Sequence, residues 1–142
     1  MSPASRFRAW SAAAFTCLAA SACGLNDERY DGRADGCSGN LSSMSVLLLL
    51  DGPVTPTPTG YFGQEYPSGR NTWTVAALTD GRFNGNRLTF TVRFENGAAT
   101  TSRWDVDVTR KAPNGFEGKV EIFAQSGRTY QCDITLTPAS AP

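Results

Sequence analysis

Residues 86–95 read NRLTFTVRFE. Leu88, Phe90, Val92 and Phe94 alternate with Arg87, Thr89, Thr91 and Arg93. Successive side chains of a strand point to opposite faces, so this stretch has one dry face and one wet face. The pattern recurs downstream. Trp104, Val106 and Val108 alternate with Arg103, Asp105 and Asp107. Gly118, Val120 and Ile122 alternate with Glu117, Lys119 and Glu121, and Tyr130, Cys132, Ile134 and Leu136 with Gln131, Asp133 and Thr135. Upstream, Trp73 and Val75 take the inward positions of a further strand. No helical period of useful length competes.

Six strands are expected, near Met44–Leu50, 72–79, 86–95, 100–109, 116–124 and 128–137. Asp80-Gly81, Asn84-Gly85, Asn96-Gly97, Asn114-Gly115 and Ser126-Gly127 punctuate them, glycine supplying the positive φ of tight turns. Connections this short make neighbours antiparallel. The expected fold is therefore all-β: an antiparallel meander of about six to eight strands closed into a small barrel, which hides sheet edges. A two-sheet sandwich is the alternative. Sidedness also restricts the hairpin around Asn96-Gly97. A three-residue loop pairing Glu95 with Ala99 sets Phe90 against Trp104 and Leu88 against Val106 inside, and Arg87 against Asp107 outside.

Val46 to Leu50 breaks the alternation, because Val46 and four leucines run together. A strand apolar on both faces is covered on both faces, so something is expected over Leu47 and Leu49. The loop that follows, 52–70 (GPVTPTPTGYFGQEYPSGR), holds four prolines and the aromatics Tyr61, Phe62 and Tyr66. One reading makes these aromatics a lid over Leu47 and Leu49. The other makes the loop an interaction site, with Tyr61, Phe62, Gln64, Glu65 and Tyr66 as its candidate residues.

The chain begins with Arg6 and Arg8, an apolar run over 9–20, and Ala20-Ser21-Ala22-Cys23. A charged start, a short apolar run and small residues before a cut make a secretory signal, and the run is too short to span a bilayer. The expected organisation is a signal peptide over 1–22, a mature terminus and polar tether over 23–36, and a single β domain over 37–142. Cysteine parity bears on Cys23. With Cys17 lost in the leader, Cys23, Cys37 and Cys132 remain, and three thiols in an oxidising compartment leave one odd. Lipid on Cys23 would leave the pair Cys37 and Cys132, expected as a disulfide between the domain's entry and its last strand.

Loss of Arg6 and Arg8 takes the 13 cations to 11 against 13 acids. No basic patch offers itself to a phosphate backbone, so no nucleic-acid partner is expected. The chain has no histidine, which excludes Ser-His and Cys-His catalysis and imidazole metal sites. Asp27, Asp31 and Asp35 lack the spacing of an EF-hand loop. The outer-face acids Asp105, Asp107, Glu117, Glu121 and Asp133 are interleaved with Arg87, Arg93, Arg103 and Lys119 and read as a solvated ion-paired face. No catalytic residue, cofactor site or metal site is assigned.

Ala20-Ser21-Ala22-Cys23 resembles the lipobox of bacterial lipoproteins, with Ala20 where that family usually has Leu. The resemblance implies diacylation of the Cys23 sulfur and anchorage of an exported protein in a membrane. Gly24 replaces the family's inner-membrane retention Asp, which implies the outer membrane. The same residues also fit an ordinary Ala-x-Ala secretory cut at the same place. The meander over 44–136 is similar to small exported barrels of the lipocalin and avidin type, without their Gly-x-Trp signature in the first strand. Ser126-Gly127-Arg128-Thr129-Tyr130 echoes the Ser-Gly-x-x-Tyr segment of lipoprotein barrels that inhibit lysozymes. The functional expectation is a lipid-anchored, non-catalytic interaction or inhibitor-like module meeting an envelope protein. The alternative is a barrel holding a small apolar or glycan ligand, and a hydrolase comes last.

Overall fold

The period-two pattern of 86–137 becomes four long antiparallel strands in the computed structural model. The structure describes residues 28–52, 55–65, 73–94 and 102–139. One compact unit, Arg29–Leu50 with Val54–Pro142, carries the sheet; the other, Met1–Glu28 with Asp51–Pro53, includes only Glu28, Asp51 and Gly52 among the described residues. The strands are β1 (Glu28–Asp35), β2 (Met44–Leu50), β3 (Gly60–Glu65), β4 (Trp73–Ala77), β5 (Thr79–Asn84), β6 (Arg87–Phe94), β7 (Ser102–Lys111), β8 (Gly115–Ala124) and β9 (Thr129–Pro138). A short 3-10 turn, Ser38–Asn40, sits between β1 and β2.

All nine strands belong to one sheet, in the order β4-β3-β2-β1-β9-β8-β7-β6-β5. First and last strands are neighbours, Ala34 facing Ile134 and Gly32 facing Leu136. The two ends of the sheet, β4 and β5, are separated in sequence by Leu78 alone. The sheet is thus one antiparallel ribbon nearly closed into a barrel. Its strand number exceeds the expectation for three reasons, each local.

First, the stretch read as a tether is, from Glu28, strand β1. Its inward residues are Tyr30, Gly32 and Ala34; Tyr30 and Ala34 are buried. Gly32 has no space for a Cβ, which would collide with the Thr135 carbonyl oxygen. The segment is polar by composition, yet its inward side is small enough to sit tightly on β9. Second, the long loop after β2 contains β3, in register with both neighbours: Leu48 faces Phe62, and Phe62 faces Ala76. Third, Asp80-Gly81 is not a hairpin turn. Asp80 has φ 55° and the pairing with β6 shifts between Thr79 and Arg82, so the chain bulges and continues.

The barrel seam has its own fastenings. The Leu78 N–H donates to the Gly60 carbonyl at 3.0 Å, and the Phe83 N–H to the Pro56 carbonyl at 2.9 Å. A Cβ on Gly81 would strike the Pro58 carbonyl oxygen. The proline segment therefore lies along β5 and covers a strand edge.

The hairpin joining β6 and β7 keeps the expected sidedness but slips by two residues. Phe90 faces Val106, Val92 faces Trp104 and Arg87 faces Thr109. The tip, 95–101, lies outside the described residues.

One strand, β4, departs from the expected sidedness. Trp73 and Val75, expected inside, point out, at 37% and 48% exposure. Thr74 and Ala76 face inward instead, opposite Gln64 and Phe62. The interior at this level is already occupied. The Phe62 ring lies 5.6 Å from Trp104, 5.5 Å from Phe90 and 6.3 Å from Phe94. Small inward residues on β4 leave room for those rings, whereas Trp73 and Val75 would not fit beside them.

Toward the opposite end, Phe116 contacts Tyr30 edge-on at 5.1 Å and Phe83 at 6.2 Å. The Arg110 guanidinium sits over Phe83 and Phe116 at 5.2 and 5.1 Å. A cation stacked on two rings closes this end of the core while keeping its charge near water.

Candidate interaction surface

The outer surface of the barrel has two unlike walls. The wall of β6–β9 is charged, and β1 adds the exposed Arg29–Asp31 pair at 3.1 Å. Arg87 bridges Asp107 through two hydrogen bonds, at 2.8 and 2.6 Å. Lys119 pairs with Asp133 at 2.6 Å, Lys111 with Glu117 at 2.8 Å, and Arg103 with Asp105 at 3.3 Å. Asp105 also accepts from the Thr91 hydroxyl at 3.0 Å. The Arg87 hydrogen bonds hold the Asp107 carboxyl below its ordinary value, against a smaller opposing effect of burial.

Phe123, the aromatic on this wall, is half-buried beneath the Arg103 guanidinium, 4.0 Å above its ring. The Arg103 Nε is buried without a hydrogen-bond partner, and the ring is what faces it. Shallow depressions cross the wall, one of them lined by Thr89, Thr91, Asp105, Asp107, Lys119 and Gln131. Four of the five acids named from the sequence are engaged by cations. None of them stands in an apolar pocket, where a raised pKa would suit acid catalysis. Among the described residues no cluster of three or more His, Cys, Asp or Glu is arranged to hold a metal ion.

The wall of β2–β4 is the opposite in character. Its outward rows follow from the register: Leu49, Tyr61 and Ala77; Leu47, Gly63 and Val75; Ser45, Glu65 and Trp73. Tyr61, Trp73 and Val75 are the exposed large apolar side chains among the described residues, and all three lie here. Leu47 and Leu49 are half-buried beside them. Gly63 is the floor of the middle row: a Cβ there would meet Val75 Cγ2 at 3.1 Å and Leu47 Cγ at 3.2 Å. Leu47 and Val75 thus approach each other across a missing side chain. Glu65, the one carboxyl in these rows, is only 5% exposed.

The five candidate loop residues therefore separate. Tyr61 stands on the outer face, Phe62 is in the core, and Gln64 and Glu65 are buried; Tyr66 lies outside the described residues. The lid expectation is corrected. Phe62 covers Leu48 from inside, and Tyr61 flanks Leu49 on the outside within the same sheet. Tyr61 and Phe62 are strand residues of the wall itself and form no lid over Leu47 and Leu49. A strand signal was present in Tyr61, Gly63 and Glu65 alternating with Phe62 and Gln64, but the surrounding prolines and glycines masked it.

Cys37 and Cys132 form the expected disulfide, across a sequence separation of 95 residues. The Ser38 hydroxyl beside it accepts from the Gln131 N–H at 3.0 Å. Cys23 and the leader lie outside the described residues. Ser126, Gly127 and Arg128 form the exposed β8–β9 turn, where the Gly127 N–H donates to the Ala124 carbonyl at 3.0 Å. Tyr130 is half-buried against the core, and its hydroxyl is the first cause of the raised pKa of Arg128.

No family model, no curated protein and no solved structure matches this chain.

Proposed function

We propose that this protein is an exported, lipid-anchored and non-catalytic interaction module that works through the outside of its barrel. The observation that carries the reading is the packing around Phe62. Its ring meets Phe90, Phe94 and Trp104 at 5.5–6.3 Å, and these four side chains are at most 3% exposed. A barrel of this size whose interior is taken by aromatic rings has little room for a ligand. Recognition then falls to the surface. Ion pairing of Asp105, Asp107, Glu117 and Asp133 favours a solubilising role for the charged wall, not proton transfer. The disulfide suits an oxidising compartment, and the anchor is Cys23, placing the module at the outer membrane.

Two measurements test this. Mass spectrometry of the mature N-terminus should find a diacylated Cys23; an unmodified cysteine would remove the anchor. Titration of the purified protein with fluorescent apolar ligands should give no saturable signal from the interior. Saturable binding that quenches Trp104 would return the function to a ligand-carrying barrel.

A further inference from the structure

We infer that the uncharged patch of Tyr61, Trp73 and Val75, with Leu47 and Leu49, is a docking surface for the lipid bilayer. The proposal rests on the anchored reading above and names the partner of its outer surface. Three observations choose a lipid surface over other occupants.

The first is composition. Tyr61 and Trp73 are amphipathic aromatics, the side chains that settle at a membrane–water boundary, and Leu47, Leu49 and Val75 are aliphatic. The exposed residues of the patch carry no charge, while the ion pairs of β6–β9 lie on another wall. A partner matched by charge would find no exposed charged side chain among the described residues of β2–β4.

The second is size. Three strands spaced about 4.8 Å apart and three rows about 7 Å apart give a patch of roughly 300 Å². A stable protein interface buries about 800 Å² on each partner. The patch is too small to hold a second copy or a protein by itself. It is large enough to lie against a bilayer to which the acyl chains on Cys23 already hold the barrel.

The third is where the chain enters. Five residues lie between Cys23 and Arg29 of β1, and the six steps reach about 20 Å at full extension. β1 is the neighbour of β2 in the sheet, and β2 is the first strand of the patch. A lipid on Cys23 would hold the barrel within reach of the surface, with its apolar wall only one strand from the entry. The barrel would then lie on its side, β2–β4 down and the charged wall of β6–β9 toward water.

The test follows tryptophan emission of the mature lipidated protein in phosphatidylethanolamine–phosphatidylglycerol vesicles. Trp104 is 1% exposed and provides a constant background, so iodide quenching reports Trp73. Iodide quenching should fall about threefold relative to a soluble Cys23→Ser protein, and brominated acyl chains should quench instead. A Tyr61→Ser/Val75→Ser double variant changes two exposed side chains; it should stay on vesicles through its lipid but regain iodide access. Trp73 equally open to iodide on vesicles and in solution would overturn the proposal. Shielding without vesicles that tracks a dimeric mass would also overturn it, because a second copy would then cover the patch. If Cys23 proves unmodified, the anchor fails separately. The same assay on unlipidated protein at high vesicle concentration then decides the patch: quenching by brominated lipid supports it, and none overturns it.

Discussion

Tyr61 and Phe62 are adjacent in sequence and stand on opposite sides of the barrel wall, Tyr61 at 48% exposure and Phe62 at 0%. Their separation follows from the pairing of β3 between β2 and β4. It predicts unlike consequences for two neighbouring substitutions. Phe62→Ala removes a ring packed on three others and should cost about 3–5 kcal/mol. Tyr61→Ser should change stability by less than about 0.5 kcal/mol. Urea unfolding of both variants checks this, and equal losses would mean that β3 is not paired as described.

Glycines of the wall should divide in the same way. A Cβ at Gly118 would run into backbone, the Asp107 carbonyl oxygen and the Val108 Cα. At Gly63 it would meet the Val75 Cγ2 at 3.1 Å and the Leu47 Cγ at 3.2 Å, side chains that can shift slightly, with the Thr74 carbonyl oxygen at an ordinary 3.4 Å. Gly118→Ala is expected to lower the melting temperature sharply or prevent folding, whereas Gly63→Ala should fold with a small change. Thermal unfolding by circular dichroism separates the two.

The Cys37–Cys132 bridge ties the entry of the domain to its last strand across 95 residues. Closing a loop of that length restricts the unfolded chain by about 4–5 kcal/mol in the entropy account. Cys37→Ser/Cys132→Ser should lower the denaturant midpoint accordingly while the slope remains that of a cooperative transition. A midpoint unchanged by the double substitution would mean that the bridge contributes nothing.

Asp107 should make acid stability depend on Arg87. Its carboxyl titrates below the ordinary value of 3.8 in the folded protein because Arg87 donates two hydrogen bonds to it. The folded pKa is depressed, so the contribution is complete above the ordinary carboxylate range and fades as pH falls through the folded value. The melting-temperature gap between wild type and Asp107→Asn should therefore be present at neutral pH and close on acidification. Both side chains are largely solvated, so the gap is small. A gap independent of pH would contradict the pairing.

The alternation over 86–137 determined by itself which side chains of β6–β9 face the core and which form the charged wall. Period two leaves no other choice when one face must be dry. The same pattern was silent on a slip of two residues, which preserves sidedness; placing Phe90 against Val106 and not Trp104 took the packing of the nearly closed barrel. Cysteine parity pointed to the Cys37–Cys132 pair before any coordinates. Composition misled in three places. The polar segment at Glu28–Asp35 carries few apolar residues, yet Tyr30, Gly32 and Ala34 make an inward face thin enough to lie against β9. The proline-rich stretch before Gly60 hid a strand, because β3 draws its order from two neighbours and not from its own propensity. Trp73 and Val75 are the most apolar residues of β4, and local pattern sends them inside. Only the tertiary structure shows that Phe62, Phe90, Phe94 and Trp104 already fill that level of the interior. A core of fixed volume admits the side chains that fit together, so Thr74 and Ala76 turn inward and the larger apolar pair is left on the surface.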